Sequence, residues 1–156
     1  MIQRIQSVFL LLLAICMVCV LFLPIWAKTD PQTNQTVTLT ATHLTSTNPA
    51  QAPLATYAIA ALAAISALVA LAEIFQYQKR MTQLMLGSLN LLLISATIGA
   101  CWYYVTQVGE QMVNVKMPGT FEAGFYLPTL ALLLNLLANR FIRRDEKLVR
   151  SMDRLR

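Results

Sequence analysis

Charge is scarce in this sequence. Asp, Glu, Lys and Arg make up 12% of its 156 residues, whereas 57% are hydrophobic. A soluble domain carries about 25% charged residues. So thin a supply cannot solvate a globular surface, and lipid must cover much of the chain. No polar stretch is long enough to bury a core of its own, which excludes a separate soluble domain. Histidine occurs once, at His43, without an Asp or Glu pattern around it. It reads as an exposed loop residue rather than a metal ligand or an acid–base group. The three cysteines, Cys16, Cys19 and Cys101, all lie in apolar segments. A disulfide framework in the loops is thereby excluded. Cys16-Met17-Val18-Cys19 has C-x-x-C spacing, but a thiolate is costly at membrane depth and further ligands are missing, so both thiols read as small packing groups. Paired acids, a histidine cluster and a Ser/Lys or Ser/His pair are all missing at membrane depth. The chain is therefore expected to be non-enzymatic, with no cofactor and no metal.

What is present is four apolar runs: 8–26, 54–75, 85–104 and 121–142. Each is close to the roughly 20 residues that cross a 30 Å hydrocarbon core, and in lipid each must be helical to satisfy its own backbone. The expected fold is an all-α membrane protein, a single domain over 1–156 built as a four-transmembrane-helix bundle. The first run is expected to stay as an anchor rather than be removed as a signal peptide, because it exceeds a usual signal core.

Basic residues set the orientation. The formal net charge is +5, and it is unevenly placed. Arg4, Lys79, Arg80, Arg140, Arg143, Arg144, Lys147, Arg150, Arg154 and Arg156 fall on one side of the runs, and only Lys28 and Lys116 on the other. Both termini are thus expected inside. Trp26, Tyr57, Trp102, Tyr103, Tyr104 and Tyr126 would line the outer interface, and Phe75, Tyr77 and Phe141 the inner one. Charge confined to membrane edges and the C-terminus argues against nucleic acid.

The outer loops are 27–53 and 105–120. In the first, Thr36-Val37-Thr38-Leu39-Thr40-Ala41-Thr42 alternates polar and apolar with β-branched residues, which is strand periodicity. Met112–Met117 in the second could be its partner, ended by Pro118-Gly119. A small two-stranded element over the bundle is the expectation. A disordered Thr-rich loop is the alternative.

Several polar or small residues stand out. Glu73 lies about one turn from the inner end of the second run, near Lys79 and Arg80, and reads as half of an interfacial salt bridge. Ala60 with Ala64, Ala63 with Ala67, and Ala96 with Ala100 are spaced four apart, which lets helix backbones approach closely. Asn90, Asn135 and Asn139 sit at similar depth on the third and fourth runs, where interhelical hydrogen bonds between them are expected. A polar substrate path is the sharper reading, but no ionisable residue accompanies them at mid-membrane. Pro128 either kinks the fourth helix or marks its first turn.

The tail, 143–156, is expected to extend the fourth helix into the cytoplasm. Leu148, Met152 and Leu155 recur at helical spacing among Arg143, Arg144, Lys147, Arg150, Arg154 and Arg156. With Arg4, these residues could meet lipid headgroups or dock on a protein.

The ends also carry a resemblance. Met1-Ile2-Gln3-Arg4-Ile5-Gln6-Ser7 before a leucine run, with Asp145-Glu146-Lys147-Leu148-Val149-Arg150-Ser151 and Asp153-Arg154-Leu155-Arg156 at the other end, resembles the small bacterial membrane proteins known as domain of unknown function 4293, seen in the Bacteroidota. The resemblance implies an inner-membrane protein with its outer loops in the periplasm, and it implies no activity. The function expected from the whole is an accessory or scaffold subunit of a larger inner-membrane complex. Its expected partners are membrane lipid and other inner-membrane proteins, with no nucleic acid or small-molecule substrate. The alternative is a small transporter or channel acting as a homo-oligomer, with a cavity lined by Asn90, Asn135 and Asn139.

Overall fold

A helix in lipid has every reason to turn its large apolar side chains outward and its small or polar ones inward. The computed structural model follows that rule on three of its four long helices. It describes residues 2–48, 51–76, 79–112 and 118–153, with side chains described for 5–48, 51–76, 79, 81–112 and 118–146. Four long helices run through it: α1 Ile2–Val20, α2 Tyr57–Phe75, α3 Arg80–Tyr104 and α4 Ala123–Asp153. α3 continues through a π-helical turn, Val105–Gly109, into a last α-turn, Glu110–Met112. α1 packs on α2 and α4, and α3 packs on the same two, so the helices close a ring around one core.

Each inward seam repeats at alternating steps of four and three residues. The seams are Gln6, Leu10, Leu13, Met17, Val20 on α1; Ile59, Ala63, Ser66, Ala70, Glu73 on α2; Gln83, Gly87, Asn90, Ile94, Thr97, Cys101 on α3; and Gly124, Pro128, Ala131, Asn135, Ala138, Ile142 on α4. This is the heptad spacing of a left-handed bundle. Only α1 fills its seam mostly with large apolar residues; the other three use small and polar ones. Leu68, Leu92, Leu130 and Leu133 face outward.

α2, the extended α3 and the Ala123–Glu146 part of α4 are long and apolar enough to cross a membrane. The chain is a membrane protein. The apolar part of α1, Ile5–Val20, is shorter than expected. The helix stops because Pro24 cannot continue it and because Ile25 and Trp26 turn into a sheet. Ile25 N–H donates to the Leu39 carbonyl at 2.8 Å. α2 and α4 likewise start later than the apolar runs suggest, since Leu54–Ala55 and Thr120–Phe121 are strands. Pro128 lies in the second turn of α4, inside the helix.

The sheet sits at one end of the bundle. Its strands are β1 Trp26–Thr29, β2 Thr36–Leu39, β3 His43–Ser46, β4 Leu54–Ala55 and β5 Thr120–Phe121, in the antiparallel order β4-β3-β2-β1-β5. The strand expected at Thr36–Thr42 is real over Thr36–Leu39. Its partners, however, are β1 and β3 rather than Met112–Met117. Met112 is helical, and 113–117 lie outside the described residues. The second outer loop joins instead through β5, which pairs with β1. Period-two alternation puts Trp26, Val37, Leu39 and Leu44 on the buried underside. The opposite face carries Thr36, Thr38, Thr45 and Thr47, whose hydroxyls bond across the strands; Thr38 Oγ1 and Thr45 Oγ1 are 2.8 Å apart. Such cross-strand Thr pairs are a unit of sheet stabilisation.

Trp26 is not an interfacial aromatic. It is completely buried in the core, and a Cβ at Gly119 would run into its indole. Tyr57, Trp102, Tyr103 and Tyr126 are exposed at the same end.

Candidate functional site

The end opposite the sheet holds an unusual density of buried polar groups. Each helix contributes at least one. Gln6, Glu73, Gln83 and Asn139 lie in or beside the seams nearest that end, and Ser66, Asn90 and Asn135 lie deeper. They face inward because they occupy seam positions or, for Asn139, the position next to one, where a step of four or three residues returns the helix to the core.

Their bonding differs from the sequence expectation. Asn90, Asn135 and Asn139 do not bond one another. Ser66 Oγ donates to Asn90 Oδ1 at 2.6 Å, linking α2 to α3. Asn135 Nδ2 donates to the Gly87 carbonyl at 2.9 Å, linking α4 to α3. Asn139 packs on Gly87 so tightly that a Cβ there would overlap its Oδ1. Glycine is required at that point for close approach. Capacity is left over. Asn90 Nδ2, Asn135 Oδ1, Asn139 Oδ1 and both Glu73 carboxylate oxygens are buried without a hydrogen-bond partner.

Glu73 is the largest departure. It is 0% exposed, and its carboxylate accepts no hydrogen bond. It does not reach the interface to pair with Lys79, which is exposed. The reason is its place in the α2 seam. The seam spacing carries Glu73 inward before the helix ends.

The alanines divide. Ala63 and Ala67 are buried between helices, Ala60, Ala64 and Ala100 are half-buried, and Ala96 is exposed on the outer face of α3.

A cleft of about 570 Å³ opens between α3 and α4 at this end. It is lined by Ser88 and Leu91 from α3, and by Leu136, Asn139, Arg140, Arg143 and Arg144 from α4. The three arginines are exposed, whereas Asn139 is only 8% exposed. Arg140, Arg143 and Arg144 fall at i, i+3 and i+4, so they share one face. The helical extension beyond Ile142 is present, and α4 runs on to Asp153. The side chains of Arg4, Lys147, Leu148, Arg150 and Met152 lie outside those described, as do Arg154, Leu155 and Arg156 altogether.

Among the described residues no three His, Cys, Asp or Glu side chains gather, and Cys16, Cys19 and Cys101 are free thiols. His43, expected as a bare loop residue, is half-buried. Its Nε2 lies 3.1 Å from the Tyr57 hydroxyl, and the two rings meet edge to face. The separation of 14 positions hides that pair from sequence reading.

The family described as "Domain of unknown function (DUF4293)" matches residues 2–155. The chain belongs to this family. Membership covers nearly the whole chain, including both end motifs except Met1 and Arg156, and assigns no activity. No curated protein and no solved structure matches the DUF4293 chain.

Proposed function

We propose that this DUF4293 protein is a non-enzymatic accessory subunit of a larger assembly in the bacterial inner membrane. In this reading all four long helices span. α1 reaches the needed length because Leu21, Phe22 and Leu23 prolong its apolar path as far as Pro24; Phe22 is largely exposed. Both termini lie in the cytoplasm, as the excess of basic residues at that end asks, and the sheet lies in the periplasm.

The observation that carries the proposal is the outward face of α3. Ser95 and Ala96 are exposed there, and a Cβ at Gly99 would meet nothing within 4 Å. The outward faces of α1 and α4 carry mainly large apolar residues. Small residues on an outward transmembrane face let a second helix come close, where van der Waals packing drives association in lipid. The transporter reading draws less support. Asn90 and Asn135 are fully buried, and the cleft takes in Asn139 alone of the three asparagines.

The test is site-specific photo-crosslinking in cells, with the probe at Ala96 and, as a control, at the outward Leu68 of α2. The expected result is an adduct at Ala96 with a membrane protein that also co-purifies with the native chain, and none at Leu68. Adducts confined to lipid or to a second copy of the chain would overturn the proposal.

A further inference from the structure

We propose that the cleft between α3 and α4 is a discrete binding site for the phosphate of an anionic phospholipid. The inference is independent of the accessory-subunit reading and holds whether or not a partner occupies α3.

The cleft is graded from charged to apolar. At its mouth, Arg140, Arg143 and Arg144 present three guanidiniums from one face of α4. None of the three has a hydrogen bond or ion pair with the described residues. Guanidinium forks match phosphate oxygens two at a time, and Arg is favoured where planar, bidentate recognition of phosphate is needed. Deeper in, the walls are Leu91 and Leu136. From Arg144 to Leu136 is eight residues of helix, about 12 Å at 1.5 Å per residue. That depth suits a headgroup at the mouth with the start of an acyl chain along the leucines.

Two polar groups stand between these zones. Ser88 Oγ donates to the Leu84 carbonyl at 2.9 Å, which leaves its lone pairs free to accept from a headgroup hydroxyl. Asn139 is more than nine-tenths buried and lines the cleft; its Oδ1, an acceptor turned against Gly87, is not open to the phosphate. Gly87 fixes Asn139 against the cleft wall, since any side chain there would push it away. Three positive charges facing one phosphate favour a lipid of net negative charge over a zwitterionic one. A soluble phosphate would use the guanidiniums but not the leucines.

The experiment is native mass spectrometry of the full chain in mild detergent, with phosphatidylglycerol, phosphatidylcholine or inorganic phosphate added. One variant, Arg140→Gln/Arg143→Gln/Arg144→Gln, strips the cleft. A second, Arg150→Gln/Arg154→Gln/Arg156→Gln, removes equal charge from the tail. The wild type is expected to retain one phosphatidylglycerol in preference to phosphatidylcholine. The cleft variant should lose at least about tenfold in affinity, near 1.4 kcal/mol, while the tail variant keeps the wild-type value. Ser88→Leu, which fills the cleft without changing charge, should weaken retention too. Equal loss in the two arginine variants would reduce the effect to unspecific charge and overturn the site. Displacement of the lipid by millimolar inorganic phosphate would overturn the lipid as its ligand.

Discussion

The two ends of the bundle treat their polar groups in opposite ways. In the sheet, polar atoms are paired across strands and turns. Thr36 bonds Thr47, Thr38 bonds Thr45, Thr40 Oγ1 donates to the His43 carbonyl, and Thr56 Oγ1 donates to the Thr40 carbonyl. Gln51 Oε1 is the buried exception. At the other end, Glu73, Asn90, Asn135 and Asn139 keep buried atoms without partners. Leaving such a group unbonded costs about 1 to 3 kcal/mol. The sheet end therefore reads as a region selected for a fixed shape, and the basic end as one that holds bonding capacity in reserve.

The largest test of that contrast falls on Trp26. Trp26→Ala empties the centre of the sheet's underside and should destabilise the protein by about 3 to 5 kcal/mol, read as a fall in thermal midpoint in detergent. A loss under about 1 kcal/mol would mean that the sheet is a loose cover. Next comes Glu73→Leu, which removes an unpaired acid from the core. It should raise the midpoint, with a gain of about 1 to 3 kcal/mol. A drop in stability would instead place an unseen partner on the carboxylate, and the contrast between the ends would weaken.

The smallest effect concerns Asp30 in the β1–β2 turn. The Thr33 hydroxyl, and then the Gln32 N–H, hold its carboxyl below the ordinary carboxylate range. A depressed value means that the charged form is favoured on folding. The contribution is present above the unfolded value, about 3.9, and fades as pH falls through the folded one. A carboxyl carbon titration followed by NMR should place the Asp30 midpoint below about 3.9; a midpoint at or above it would show the turn to be open in solution.

Much of the helical part was legible from residues alone. Long apolar runs announce α2, α3 and most of α4, because lipid leaves the backbone no alternative. Thr36–Leu39 announced itself by alternation. The short strands did not. Trp26-Ala27-Lys28-Thr29 straddles the end of an apolar run, and four residues hold too few periods to separate a strand from a helix end. Pairing between Trp26 and Phe121 spans the chain, so local pattern carries no trace of it. Glu73 was misplaced for a related reason. A distance of one turn from a helix end looks interfacial, but the heptad step decides which way the side chain points. The asparagines were legible as buried, and their partners were not, since Ser66 and the Gly87 carbonyl look ordinary in sequence.

The sheet's outline also limits how other chains can approach it. Both outermost strands, β4 and β5, are two residues long. Strand addition needs a longer row of free backbone donors and acceptors than such stubs provide. A protein meeting this end therefore cannot extend the sheet. What the sheet itself offers is its threonine surface, with side-chain hydroxyls as the footing.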